Sequence, residues 1–214
     1  MCDRFAIGAD PEEIGFRFDV EVPELTPAPR WNIAPSDSAP IILNEGDGRH
    51  MLSAKWGFLF PSRKGLAINA RVESLTSKWM FRSAAMWNRC LIPATGWYEW
   101  TQSADGKDPH HINDTERIIA LAGLWESDED GRRFTIITRP AIESIADIHN
   151  RMPLVIAESE WDSWLNPSDS TAATQSELMD SSQSFTFSSR RVGREVNRAT
   201  AEGVHLQQLL DSPE

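Results

Sequence analysis

Short apolar runs separated by turn residues recur along most of the chain, and this pattern predicts a strand-rich fold. The runs are rich in β-branched and aromatic residues and are bounded by Gly, Pro, Asn, Asp or Ser. The predicted strands or extended segments cover 31–36, 39–43, 51–58, 89–94, 96–100, 117–125, 133–138, 151–157 and 185–193. The polar stretches 101–110 and 126–131 between them are expected to be exposed hairpin loops.

Helices are predicted in fewer places. Asp10 and Glu13 on either side of Pro11 supply an N-cap, a capping-box acid and a first-turn proline, which predict a helix over 11–18. A longer helix is predicted over 72–86 from the helical spacing of its apolar residues, which are Leu75, Trp79 and Met86. Shorter helices are predicted at 141–148 and at 159–164, the latter with Ser159 and Asp162 as capping residues.

Strands interleaved irregularly with short helices indicate an α+β fold built on a mixed or barrel-like β-sheet with short flanking helices. The 214 residues contain no repeat and no evident linker, so we expect one domain over 1–214. The small polar residues of 166–184 predict a surface loop or a disordered insertion. The apolar residues that follow are expected to rejoin the main sheet.

The charge of the chain is unevenly distributed. The net charge is -11, yet residues 54–91 carry seven basic side chains and one acidic side chain, so this segment has a net charge of +6. The remaining residues therefore sum to -17. The asymmetry is typical of a local anion-binding face on an acidic protein, although an ordinary solvated surface would give the same composition.

Several classes of protein are disfavoured. No apolar run is long enough for a signal peptide or a membrane span, so we expect a soluble, cytoplasmic protein without a membrane partner. The cysteines, Cys2 and Cys90, are too few for a disulfide framework and are expected to be thiols. His110 and His111 have no cysteine partners at ligand spacing, which favours a surface loop over a zinc site. We therefore expect no metal, no cofactor and a monomer.

The position of Cys2 has a chemical consequence. If Met1 is removed, Cys2 presents an α-amine and a thiol on one residue, and both have reference pKa values near 8 to 8.5. Such an aminothiol reacts with an aldehyde to form an imine, which the thiol then closes to a thiazolidine ring. The alternative is that Cys2 packs as a small apolar residue, as Cys90 is expected to do in its strand.

Nine short segments occur in a fixed order along the chain: MCDRFA, WNIAPS, WGF, INARVESL, RCLIPATGWYEW, AGLWE, TIITRPA, IHNRMPLVI and VGREVN. This series closely resembles the SOS-response-associated peptidase (SRAP) family of abasic-site-processing proteins over nearly the whole chain. The resemblance implies the SRAP fold and covalent capture, by Cys2, of the sugar aldehyde at abasic sites in single-stranded DNA. It also implies that Asn69, Glu99 and His149 are the other catalytic residues.

The resemblance further implies a DNA-binding surface. Its implied phosphate-binding residues are Arg4, Arg71 and Arg151. The residues implied to line the DNA site, where an aromatic ring can stack on a base, are Pro35, Trp56 and Trp100. By contrast, we assign Trp79 and Trp87 on the predicted longer helix to packing.

This sequence departs from the family pattern at Asp3, where the family usually has glycine. An aspartate there adds a negative charge between the nucleophile and Arg4, and it would be strained if the backbone required a positive φ. The segment WGFLFPS also lacks the family's second aromatic and basic cluster. From Asp3 we expect a reduced DNA affinity or a shifted pocket, but not inactivity.

Three functions are compatible with these residues. The first is covalent capture of abasic sites, with self-removal of Met1. The second is a thiol peptidase or autoprotease that uses Cys2 as its nucleophile, with His149 or Glu99 as the base. The third is a non-covalent single-stranded-DNA-binding module in which Cys2 is incidental.

Overall fold

The computed structural model describes residues 2–24, 26–62, 64–166 and 185–210. Strands predominate, which confirms the predicted α+β class. The strands of the described residues are β1 (Phe5–Ile7), β2 (Arg30–Ile33), β3 (Ser38–Asn44), β4 (Arg49–Trp56), β5 (Phe58–Leu59), β6 (Leu66–Ala67), β7 (Asn69–Arg71), β8 (Arg89–Ala94), β9 (Gly96–Ser103), β10 (Gly106–Asp114), β11 (Ile119–Asp128), β12 (Gly131–Pro140), β13 (Arg151–Pro153) and β14 (Phe187–Arg191). The helices are α1 (Pro11–Phe18), α2 (Trp79–Trp87), α3 (Glu143–Ala146) and α4 (Trp161–Leu165).

Five strands form a closed, barrel-like sheet, as the sequence predicts. The strands follow one another around the barrel in the order β11, β8, β3, β4 and β12, and β12 pairs with β11 to close it. All of these pairs are antiparallel except β4 with β12, so the sheet is mixed. Strand β12 also pairs with β13 and, in parallel, with β7, which carries Asn69.

A second sheet positions the N-terminal segment of the chain beside β9. It is antiparallel throughout, with the strand order β14, β10, β9, β1 and β2. In the pairing of β1 with β9, Phe5 lies opposite Trp97, and the Tyr98 N–H donates a hydrogen bond of 3.0 Å to the Arg4 carbonyl. This pairing directs the residues before Phe5 along β9, where Glu99 is located.

Aromatic side chains fill the space between the two sheets. The ring of Phe5 in β1 contacts Trp56 in β4 edge-on at a centroid distance of 5.1 Å, and Trp56 stacks on Phe134 in β12. All three side chains are fully buried. Burial of an aromatic side chain of this size contributes on the order of 2–3 kcal/mol, so this cluster ties the N-terminal strand firmly to the barrel.

Helix α1 has the bounds that the sequence predicted. It begins at Pro11 and ends at Phe18, and Asp10 and Glu13 form the predicted capping box, in which Glu13 Oε2 accepts from the Asp10 N–H at 2.8 Å. The residue that caps its C-terminus is Asp19, whose backbone is left-handed with φ of 53°. The apolar residues of α1 that face the core are Ile14 and Phe18.

The predicted helix over 72–86 is wrong in its first half. Residues Val72–Ser74 form one 3-10 turn that buries Val72, and α2 begins only at Trp79. Because α2 turns Phe81 and Ala84 toward the core, Trp79 and Trp87 point outward and are 68% and 57% exposed. Their assignment to packing was therefore wrong.

The predicted loop at 101–110 was also wrong, since most of it lies in the β9–β10 hairpin. Its polar residues are satisfied within the sheet: Asp108 forms ion pairs with Arg191 and Arg194. His110 and His111 consequently lie in β10 instead of a surface loop, and His111 is buried.

Other boundaries differ by a few residues. The helix predicted at 141–148 is shortened to α3, and the strand predicted at 151–157 ends at Pro153. A 3-10 turn at Glu158–Glu160 precedes α4, and the predicted side-chain caps are absent from the start of α4. Residues 167–184 of the predicted insertion lie outside the described residues. In the part that is described, no helix is long and apolar enough to cross a membrane.

Candidate active site

Cys2 is held in place from both sides. Its side chain is fully buried, and the Sγ lies 3.6 Å from the carbonyl oxygen of Arg4, to which it donates a hydrogen bond. Its own carbonyl oxygen accepts a hydrogen bond of 2.7 Å from Nδ2 of Asn69. Asn69 is the first residue of β7, whose parallel pairing with Ile136 of β12 fixes it to the barrel. The two sheets therefore meet at Cys2.

Glu99 supplies a buried carboxyl group beside the cysteine. It lies in β9 and is only 1% exposed. Burial raises the pKa of Glu99 to about 7; the positively charged N-terminal amine opposes this shift, and the nearby Asp3 carboxylate adds to it. A carboxyl group with this pKa exchanges a proton readily at neutral pH, which is the property required of a general acid or base.

The thiol and the two carboxyl groups influence one another. The pKa of the Cys2 thiol is raised well above its usual value, first by burial and then by the negative charges of Glu99 and Asp3. Burial also raises the pKa of Asp3, whose Oδ1 is buried and accepts no hydrogen bond from the described residues. The site therefore keeps Cys2 as a neutral thiol until a proton acceptor removes its proton.

His149 completes the set of predicted catalytic residues. It lies just before β13, and its Nδ1 is 2.9 Å from the backbone nitrogen and 3.1 Å from the carbonyl oxygen of Arg151, so the Arg151 backbone orients the ring. Burial lowers the pKa of His149, while the carboxylate of Asp3 opposes that shift. At neutral pH His149 is therefore a neutral imidazole. The charge of Asp3 acts on the pKa of Cys2, Glu99 and His149 alike, and Asn69 is hydrogen-bonded to Cys2, so the four predicted residues are neighbours.

The candidate set of four residues lacks a metal-binding arrangement. Among the described residues, no group of three or more His, Cys, Asp or Glu side chains is placed to hold a metal ion.

Comparisons with known proteins identify the family of this chain. The family model described as "SOS response associated peptidase (SRAP)" matches residues 1–199 and so includes all four residues. The chain belongs to the SRAP family. Among the curated SRAP relatives, the abasic site processing protein YoqW of Bacillus subtilis is 34% identical over 78% of this chain and 81% of its own. YedK of Escherichia coli, also named an abasic site processing protein, is 28% identical over 97% of this chain and 99% of its own.

A solved structure shows that the SRAP fold is shared more widely than the sequence. A protein from Bacteroides thetaiotaomicron superimposes with a TM-score of 0.80 at 20% identity, covering 97% of this chain and 99% of the other. At this identity the likeness concerns the fold, and the roles of individual residues must be argued from the chain itself.

Two of the residues implied for DNA binding in this SRAP chain are already engaged within the protein. Arg151 forms an ion pair with Glu73 and donates a hydrogen bond of 2.7 Å to the carbonyl oxygen of Thr138, so its guanidinium is committed. The side chain of Arg4 turns back, and its Nη1 donates to the Asp3 carbonyl at 3.3 Å. Arg71, in contrast, is exposed.

The other three residues implied for DNA binding differ in their exposure. Trp56 has no exposed surface, and its Nε1 donates to the Ile68 carbonyl at 2.9 Å, so the expectation that its ring stacks on a base is corrected. Trp100 is only half-buried, and its Nε1 donates to Asn197 at 2.7 Å. Pro35 lies in the turn after β2, next to Ser36, whose φ is 78°.

Sequence reasoning missed two features of the site. The first is the ion pair between Glu73 and Arg151. Its one signal in the sequence is that Glu73 is the only acidic residue in the basic segment 54–91. The second feature is a free hydrogen-bond acceptor: Oδ1 of Asn69 is buried and receives no donor from the described residues. A buried acceptor without a donor is costly, so it is a natural contact for a hydroxyl group of a substrate.

Proposed function

We propose that this protein processes abasic sites in single-stranded DNA by forming a covalent bond between Cys2 and the aldehyde of the ring-opened sugar. The observation that carries the proposal is the hydrogen bond from Asn69 to Cys2, which holds the nucleophile beside a carboxyl group with a pKa of about 7. The names of the relatives YoqW and YedK, both abasic site processing proteins, support the choice of substrate.

The proposed reaction requires the α-amine of Cys2, which is occupied by a peptide bond until Met1 is removed. The free amine attacks the aldehyde carbon to give a carbinolamine, and loss of water forms an imine. The Cys2 sulfur then attacks the imine carbon, and the thiol proton is transferred to the nitrogen. The product is a thiazolidine ring that links protein and DNA, and one molecule of water is released in the complete sequence.

Glu99 is suited to the proton transfers in this reaction. It donates a proton to the departing water and accepts one from the thiol, whose raised pKa makes a nearby base necessary. Asn69 fixes the position of Cys2, and its Oδ1 accepts a hydrogen bond from the opened sugar. His149, neutral and oriented by the Arg151 backbone, donates from Nε2 to the sugar hydroxyl or the adjoining phosphate.

The DNA strand is proposed to lie across the exposed positive side chains of the basic segment. Arg71 is exposed at the end of β7 and can bind a phosphate directly, whereas Arg4 and Arg151 must exchange internal partners to do so. Pro35 and Trp100 are proposed to border the strand. Because an abasic site lacks a base, the sugar reaches the buried Cys2 most easily when the strand is single.

Met1 removal is proposed to be self-catalysed, which would give the protein peptidase activity on its own N-terminus. Glu99 is the base in this step, because it is the buried carboxyl group that interacts with Cys2. Intact mass of the purified chain tests this point. Loss of Met1 from wild type but not from Glu99→Ala supports self-processing, whereas loss from both assigns the step to a separate aminopeptidase.

The capture reaction is tested with single-stranded DNA that contains one uracil, treated with uracil-DNA glycosylase to create the abasic site. Wild type should give a protein–DNA band that survives a denaturing gel, and Cys2→Ala should give none. Cys90→Ala is the matched control, since Cys90 is a second buried cysteine with no part in the site. Equal bands for wild type and Cys2→Ala, or no band for either, would refute covalent capture. Binding without any band would favour the non-covalent module.

A further inference from the structure

An open groove lies next to the candidate active site. It has a volume of about 440 Å³ and runs between the β5–β6 hairpin and the first turn of α2. The hairpin contributes Phe60 and Leu66, and the helix contributes Trp79 and Phe81. Phe81 is buried in the floor, whereas Phe60 and Trp79 stand on the rim and are 40% and 68% exposed. An apolar, aromatic recess of this size is in the range of small-molecule binding sites.

The groove shares one residue, Asn69, with the candidate active site. Asn69 forms part of its wall and also donates the hydrogen bond that holds Cys2. Any group bound in the groove is therefore a near neighbour of a sugar attached to Cys2.

The charge around the groove favours an anionic occupant. Lys78 lines it, and Lys64, Arg71 and Arg82 are exposed in the same basic segment of an otherwise acidic chain. The first turn of α2 also directs the positive end of the helix dipole toward this region. An aromatic rim with surrounding cations is the combination that binds single-stranded nucleic acid, because bases stack while phosphates are neutralised.

We propose that this groove receives the unpaired base adjacent to the captured sugar, and that Trp79 stacks on that base. The proposal rests on the proposed function, since it assumes that a DNA strand passes Cys2. In this arrangement, Trp79 is a positioning residue: it contacts the neighbouring nucleotide and thereby sets the strand in register with the nucleophile.

The first test measures equilibrium binding of DNA that carries a tetrahydrofuran abasic analogue, which has no aldehyde and cannot be captured. Fluorescence anisotropy of the labelled strand gives the Kd for each variant. Loss of one base stack should weaken binding by Trp79→Ala by roughly 5- to 150-fold. Trp79→Phe should retain most of the affinity, because phenylalanine also stacks. Trp87→Ala, which removes the other exposed tryptophan of α2, should bind as wild type does.

A second comparison identifies the base as the partner of Trp79. The base on the 5′ side or on the 3′ side of the analogue is replaced by a second tetrahydrofuran. Wild type should lose affinity for one of these two strands, and Trp79→Ala should show no further loss on that same strand. This non-additivity is expected only if the ring and the missing base interact.

The proposal is overturned if Trp79→Ala and Trp87→Ala bind the analogue strand equally, or if the effect of Trp79→Ala is the same on all three strands. A groove that binds an apolar segment of a protein would give the first of these results. The test is independent of the covalent reaction, because the analogue is never captured. If Cys2 does not crosslink but Trp79 shows the predicted coupling, the proposed chemistry fails while the base-binding groove stands.

Discussion

Asn69 donates a hydrogen bond of 2.7 Å from Nδ2 to the carbonyl oxygen of Cys2, although 67 positions separate the two residues. The bond crosses from β7, which pairs with β12 of the barrel, to the segment that leads into β1 of the second sheet. It therefore fixes the nucleophile relative to the barrel, and the position of Cys2 does not depend on β1 alone.

Replacing Asn69 with alanine should slow covalent capture. Loss of one hydrogen bond of this kind costs about 0.5–1.5 kcal/mol, so we expect the capture rate at saturating DNA to fall roughly 2- to 13-fold. Asn113→Ala is the control, because Asn113 also donates from Nδ2 to a backbone carbonyl, but in β10. An unchanged rate in Asn69→Ala would show that the bond does not position the nucleophile.

Asp3→Asn should shift the pH dependence of capture. The Asp3 carboxylate raises the pKa of Glu99 and of the Cys2 thiol, so its neutralisation lowers both. We expect the inflection in the rate that belongs to Glu99, near pH 7 in wild type, to move to lower pH. The rate is measured from pH 5 to 9, with the exposed Asp47→Asn as the control. An identical profile in Asp3→Asn would mean that Asp3 does not act on the site.

Glu99→Gln should abolish capture and stabilise the fold at neutral pH. The pKa of Glu99 is about 7 in the folded protein against 4.5 as its ordinary value. Between these pH values the unfolded chain loses the proton first, so the folded state is progressively destabilised as the pH rises. The penalty is absent below pH 4.5, is complete above pH 7 and is at most about 3 kcal/mol. Glutamine carries no such penalty.

Urea unfolding at pH 4.5 and pH 8 measures this effect. The stability of Glu99→Gln relative to wild type should increase between the two pH values, with both chains in the same state of N-terminal processing as determined by intact mass. A constant difference would show that Glu99 ionises normally in the folded protein and would remove the basis for its proposed role.

Trp56→Ala should destabilise the fold. Because Trp56 is fully buried between Phe5 and Phe134, its truncation should lower the free energy of unfolding by about 3–5 kcal/mol. The half-buried Trp100 should give a smaller loss of stability on truncation and a weaker affinity for single-stranded DNA. A Trp56→Ala protein with wild-type stability and no affinity for DNA would instead restore Trp56 as a base-stacking residue.

The sequence is most informative where one local pattern determines the structure. The capping residues around Pro11 predicted α1 to the residue, and the apolar run at 89–94 predicted β8. It is least informative where tertiary partners decide. The strand at Asp108 looked like a loop because its arginine partners lie far along the chain. The spacing of Leu75 and Trp79 suggested one continuous helix, but Leu75 is buried in the core and Trp79 is exposed.

The candidate site shows the same contrast. The family resemblance implied Cys2 and Glu99 as site residues, but only the packing of β1 against β9 reveals that burial brings the pKa of Glu99 to about 7. Likewise, the number of tryptophans in the sequence does not show which of them are buried and which are exposed. Trp56 was expected at the surface and is buried, whereas Trp79 was expected in the core and is exposed.

The ion pair between Arg151 and Glu73 leads to a prediction about DNA affinity. Glu73 keeps its negative charge, because hydrogen bonding to Arg151 lowers the pKa of its carboxyl group. It therefore competes with a phosphate for the same guanidinium. Glu73→Gln should release Arg151 and remove a nearby repulsive charge, so we expect tighter binding of single-stranded DNA. One additional phosphate contact should steepen the dependence of log Kd on log salt by about 0.7.

Affinity measured over a series of salt concentrations tests this prediction. Glu45→Gln is the control, because it breaks an exposed pair with Arg132 and removes the same charge from the β3–β4 hairpin. If the two variants gain affinity equally with unchanged salt slopes, the effect is one of net charge and Arg151 is not a phosphate ligand. If only Glu73→Gln gains affinity and slope, Arg151 binds phosphate once its internal partner is removed, and Glu73 limits the affinity of the wild-type protein for DNA.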